Sequence, residues 1–225
     1  MTDDQPKEFI KPLDLEKKKS PWTKIFVVAL VFFMVAWVVA GFSGDIFGGN
    51  GQQKLPKNAF QISGYAFYTL DDGTYGTYTA IGSQKVPIAF RLDPRQAGNI
   101  PFFDGVLDLI LNTQKIYISF DPNNPQERGK LAVAAAEISR ITSLYKIDTT
   151  GAFTQDSNPI NPDIPIKKCS DANAGVTVIE LKFASKTSIG IDASNNRCVV
   201  ISAPTGDELI FAADKLGMNL LGIRV

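Results

Sequence analysis

Lys115-Ile-Tyr-Ile-Ser-Phe-Asp-Pro122 decides the fold class. Six β-prone residues run into an Asp-Pro stop, and the apolar spacing beyond it lengthens from two residues to three and four. Asn124 is placed to cap a helix, Pro125 fits its first position, and Glu127 stands three residues after the cap. Leu131, Ala134, Ala135, Ile138, Ile141 and Tyr145 then share one helical face, which needs a sheet to cover it. Residues 146–153 return as a strand. The unit is therefore strand, helix, strand.

The same grammar recurs near the C-terminal end. Arg197-Cys-Val-Val-Ile-Ser-Ala-Pro204 leads into Thr205-Gly-Asp-Glu208, the spacing of a capping box, and then into a helix with Leu209, Ala212, Ala213, Leu216 and Leu220 on one face. Gly222 stands where a helix-terminating glycine is expected. Each helix carries an Ala-Ala-acid step, Ala135-Ala136-Glu137 in the first and Ala212-Ala213-Asp214 in the second. Residues 115–147 and 197–223 read equally well as an internal duplication and as two generic βα units.

Between and before them the pattern is hairpin-like. Residues 60–70 and 74–81 are β-prone around Asp71-Asp72-Gly73, an Asp-Gly turn. Residues 86–92 give a further strand, which Pro87 places at an edge or at its own start. Val106, Leu107, Ile110 and Leu111 predict a short helix over 104–112. Residues 155–168 hold Pro159, Pro162 and Pro165 and show no period, so they read as a surface connection. Residues 176–183 and 187–192 are strands, and Asn195-Asn196 turns the chain into the next one. Two βα units beside hairpins imply an α+β domain, with two or three helices packed on a mixed sheet.

Outward of this domain lies IFVVALVFFMVAWVVAGF, residues 25–42, without a charge. At about 1.5 Å per residue it makes a helix of roughly 27 Å, close to the thickness of a bilayer's hydrocarbon core. Lys17, Lys18, Lys19 and Lys24 precede it, whereas the first basic residues beyond it are Lys54 and Lys57. That asymmetry predicts an N-terminus inside and a C-terminal domain outside. The run is long for a cleaved signal peptide, and Lys19-Ser20-Pro21-Trp22 lacks the processing site of a pilus-like subunit. The expected organisation is a cytoplasmic polar tail (1–24), a single transmembrane helix (25–42), a flexible linker (43–58) and one extracytoplasmic α+β domain (59–225).

Composition narrows the function classes. Twenty-three Lys and Arg balance twenty-three Asp and Glu, which leaves no positive excess for nucleic acid. The chain has no His, which removes the commonest general base and metal ligand and with them Ser-His-Asp and Cys-His chemistry. No zinc, EF-hand or nucleotide motif is present, and no cofactor, metal or catalytic residue is expected. Cys169 and Cys198, the only two cysteines, lie on the predicted outer side and are expected to form a disulfide. Arg91, Asp93 and Arg95 form the densest charge cluster. With Asp121 they are the candidate ligand group, since paired arginines clamp carboxylates or phosphates, although Asp93 can equally satisfy its own neighbours.

These features predict a non-enzymatic, membrane-anchored binding or assembly module. Its partners would be membrane lipid through residues 25–42, and another envelope protein or a surface polymer. An envelope hydrolase would instead need Asp93, Asp121 or Asp171 to converge in a cleft.

Overall fold

The computed structural model describes residues 58–123, 127–155 and 163–225. The predicted tail, the span at 25–42 and the linker up to residue 57 lie outside them. Among the described residues no helix is long and apolar enough to cross a membrane.

Among the described residues the fold is mixed α+β, with two sheets and three α-helices. The first sheet is an antiparallel meander, β1 (Phe60–Ile62), β2 (Tyr65–Thr69), β3 (Tyr75–Ile81) and β4 (Gln84–Phe90), in that spatial order. The Asp-Gly turn sits between β2 and β3 as predicted, where the Asp72 carboxylate accepts from the Thr74 amide at 3.0 Å. Residues 60–70, expected as one strand, are two. Ser63 and Gly64 both adopt positive φ and reverse the chain in the middle of the run. Pro87 lies in β4, the edge strand, opposite Tyr78.

The second sheet has the order β6-β5-β7-β9-β8. Its members are β5 (Lys115–Phe120), β6 (Asp148–Phe153), β7 (Val176–Phe183), β8 (Ser188–Ile191) and β9 (Cys198–Ala203). All pair in parallel except β8, which runs antiparallel to β9 at one edge. Residues 115–120 and 176–183 form strands over the spans expected. Ile116, Ile118 and Phe120 of β5 and Ile179 and Leu181 of β7 turn to the main core, while the opposite face mixes Tyr117 and Val178 with Lys115, Ser119, Glu180 and Lys182.

Three helices complete the domain: α1 (Val106–Leu111), α2 (Arg128–Leu144) and α3 (Gly206–Leu220). The cap expected at Asn124 and Pro125 lies outside the described residues. Along α2, Leu131, Ala134, Ile138 and Ile141 are buried as the stripe predicts, but Tyr145 lies beyond the helix, partly exposed, its hydroxyl donating to Leu220 O. Of the capping box at α3, one half forms: Thr205 Oγ1 accepts from the Glu208 amide at 3.3 Å. The Glu208 carboxylate instead accepts from the Thr187 hydroxyl. Gly222 ends the helix at φ 79°, and the Ile223 amide reaches back to Met218 O at 2.9 Å.

Helix α3 is buried on two sides. Leu209, Ala212, Ala213 and Leu216 join the core with Ile179, Leu181, Val199 and Ile201 of the parallel sheet. The opposite side meets the meander. Asp214 accepts from the Arg91 and Leu92 amides, a Cβ on Gly217 would stand 3.5 Å from the Phe90 ring, and the Tyr65 hydroxyl donates to Leu221 O at 2.8 Å. Phe67, Ile88 and Phe90 belong to the same core cluster. The order of layers is thus parallel sheet, helices, meander.

The far face of the parallel sheet carries a smaller cluster, in which Ala172, Val178 and Cys198 pack with Tyr117, Cys169 and Val200. Tyr117, Val178 and Cys198 form one row across β5, β7 and β9. Part of the expected surface connection lies alongside β6: Ile166 bridges Phe153, whose amide donates to Pro165 O at 2.9 Å.

Candidate functional site

The Cys169–Cys198 disulfide is formed, joining residues 29 apart in sequence. It pins a single 3-10 turn, Cys169–Asp171, to the first residue of β9. Asn195 adds to this junction, its Nδ2 donating to Cys169 O at 2.7 Å and to Ala172 O at 3.1 Å. Asp192 shapes the same β8–β9 turn, accepting from the Ser194 amide at 2.9 Å and the Asn195 amide at 3.1 Å. Those bonds, led by the Ser194 hydroxyl, hold the Asp192 carboxyl below its ordinary value.

Immediately beyond the junction opens a cleft of about 290 Å³. One wall is α1 and its flanks, with Gly105, Asp108, Leu109, Asn112 and Thr113. The other is built by Asn173, Ala174 and Thr177 before and within β7, and by Ile191, Asn196 and Arg197 around the β8–β9 turn. Thr113 is committed to structure, its hydroxyl within 3.2 Å of both Lys115 O and Gly175 O. Asn173 closes its own turn by accepting from the Gly175 amide at 3.1 Å. The side chains of Asp108, Asn196 and Arg197 have no hydrogen-bond or ion-pair partner among the described residues.

The candidate ligand group divides. Arg95 forks onto Asp93 with contacts of 2.6 and 2.9 Å, and its guanidinium centre lies 4.6 Å from the Phe60 ring centre. The Arg95 hydrogen bonds lower the Asp93 carboxyl from its usual range. Arg91 turns to Glu137 of α2 at 3.4 Å. Glu137 also holds Arg140 at 2.7 Å, and Arg140 donates to Ala89 O. Both guanidinium groups therefore face protein carboxylates. Asp121 stands at the C-terminal end of β5, accepting from the Asn123 amide and Gln155 Nε2, each at 2.8 Å, and shares no partner with the arginines. Asp171 closes the 3-10 turn by accepting from the Lys168 amide at 2.7 Å. No hydrogen bond or ion pair joins any two of Asp93, Asp121 and Asp171 among the described residues.

A third polar site is buried. Asp214 is 2% exposed, its Oδ2 accepting from the Arg91 amide at 2.6 Å and the Leu92 amide at 2.8 Å, while Oδ1 has no partner. Burial pushes its carboxyl up to about 7, against the pull of those two amides. The Ala-Ala-acid steps thus do parallel work. Glu137 and Asp214, one from each helix, both grip the chain where it leaves β4. Asp214 thereby ties α3 to the chain that leaves β4.

Sequence reasoning found the disulfide and missed the cleft, whose lining comes from three separated stretches. The available local signals were Asp108 and Asn112, four residues apart on a short helix, and the polar Asn195-Asn196-Arg197 turn. Compared with family models, with curated proteins and with solved structures, the chain matches none.

Proposed function

We propose that this chain is a single-pass, membrane-anchored binding or assembly module, non-enzymatic, whose α+β domain stands on the extracytoplasmic side. Residues 25–42 would hold it in lipid, residues 43–58 would give it reach, and the cleft between α1 and the β8–β9 turn would seat its partner. The partner class is another envelope protein or a surface polymer. The observation that carries the proposal is the Cys169–Cys198 disulfide. Such bonds persist where the surroundings oxidise and are rare in a reducing cytosol. The cleft supports a binding role because its free groups, one carboxylate, one amide and one guanidinium, can pair with a polar or charged ligand.

Protease added to intact cells should remove the C-terminal domain, and both thiols should react with a maleimide only after reduction. A protected domain, or thiols that label without reductant, would refute the topology.

A further inference from the structure

The cleft holds opposite charges that do not meet. Asp108 on one wall and Arg197 on the other both stop short of an ion pair, and neither has another partner among the described residues. An anion alone would satisfy Arg197 and leave Asp108 bare; a cation alone would do the reverse. A ligand bearing both signs pairs both groups, and the fork of an arginine matches a carboxylate with two parallel hydrogen bonds.

The backbone beside them is that of a partly open sheet edge. Asp192 donates to Cys198 O at 2.9 Å, so alternation along the antiparallel pair turns the peptide groups of Ile189 and Ile191 away from β9. Ile189 is already engaged, donating to Pro101 O and accepting from the Phe103 amide, each at 3.0 Å. Ile191 has no such partner among the described residues, and its side chain lines the cleft. Ile191 is itself 36% exposed and, with Leu109, gives the cleft its apolar flank. A free strand edge, an apolar flank and separated charges together match an extended polypeptide: backbone to the edge, side chain to the apolar flank, charges to Asp108 and Arg197. A neutral sugar would leave both charges unanswered. The cleft's volume sits near the lower end of the ~300–1,000 Å³ that small-ligand sites occupy, which limits the occupant to a few residues.

We propose that the cleft between α1 and the β8–β9 turn binds a short extended peptide segment carrying both a carboxylate and an ammonium group. Arg197 takes the carboxylate, Asp108 the ammonium, and Asn196 with the Ile191 edge takes the backbone. This rests on the cleft being the module's ligand seat, and it narrows the partner to an exposed polypeptide end or charged segment.

The test uses the full chain, isotope-labelled in detergent micelles, titrated with L-leucyl-L-valine, its N-acetyl form, its C-terminal amide and N-acetylglucosamine. The free dipeptide should shift the amides of residues 105–113, 191 and 196–197 saturably, and either blocked form should bind roughly tenfold more weakly. Arg197→Gln should abolish the preference for the free carboxylate, and Asp108→Asn the preference for the free ammonium. Both residues are exposed, so unchanged spectra elsewhere will report an intact fold. Equal binding of free and blocked peptides, or saturation by the sugar alone, overturns the peptide assignment while leaving the cleft as the seat. If no probe moves these amides, both uses of the cleft fall, whereas the topology stands on its own experiment.

Discussion

Replacing Asp214 by Asn isolates the electrostatic cost of one buried carboxylate. The native group is 2% exposed, gives Oδ2 to two backbone amides and leaves Oδ1 without a partner. Burial dominates the balance and raises the carboxyl from 3.8 to about 7; nearby Glu137 adds to the rise and Arg140 opposes it. Between about pH 4 and pH 7 the folded chain therefore holds a proton that the unfolded chain has released, so stability falls as pH rises through that window and levels off above it. A rise of about three units corresponds to about 4 kcal/mol, or roughly 10 °C in Tm for a domain of this size. Asp72, Asp93 and Asp192, whose carboxyls are lowered, act in the opposite sense. Their contribution is present above the unfolded carboxylate pKa and is lost only as pH falls below it, so it is flat in this window. Asn keeps an acceptor for both amides and cannot ionise. Asp214→Asn should therefore lose the decline between about pH 4 and pH 7 and be the more stable protein at the alkaline end. Thermal unfolding of the full chain in micelles should be followed by tyrosine circular dichroism, because both tryptophans, Trp22 and Trp37, precede the domain. A wild-type Tm that holds steady or climbs over this range, or an Asn variant with the same decline, refutes the reasoning.

Three other substitutions test the packing by urea titration. Changing both Cys169 and Cys198 to Ser removes a cross-link between residues 29 apart, worth about 3.5 kcal/mol by loop-closure entropy; because the bond also braces the cleft, dipeptide affinity should fall with it. Thr205→Ala strips the cap from the Glu208 amide and should cost about 1 kcal/mol. Gly206→Ala places a methyl 2.6 Å from Lys130 Cβ and against the Glu127 carboxylate, so it should destabilise by about 1–3 kcal/mol despite the better helix propensity of Ala. A neutral result at Gly206 would mean that the starts of α2 and α3 are not held in contact.

What could be read without coordinates was local. Residues 115–120 and 176–183 announce strands because they are rich in β-branched and aromatic residues, and the Asp-Gly turn and Gly222 each impose a backbone geometry that few residues supply. The β1–β2 reversal carries its own signal, the turn-forming pair Ser63-Gly64, but the aromatic alternation that continues on both sides of it over residues 60–70 masks the break. Contacts across long separations left no trace. Arg91 meets Glu137, and Asp214 meets the end of β4, through pairings 46 and 123 residues apart that only the layered packing creates. The cleft is of the same kind: Asp108, Asn173 and Arg197 are unremarkable singly and become a site because β7 and β9 lie side by side.

The placement of α3 between two sheets has a consequence for synthesis. Until the residues from 206 onward have left the ribosome, Phe67 and Phe90 of the meander and Ile179 and Ile201 of the parallel sheet lack the α3 side chains that share their core cluster. The meander and α3, the two ends of the domain, therefore close upon one another only after the intervening elements have been made.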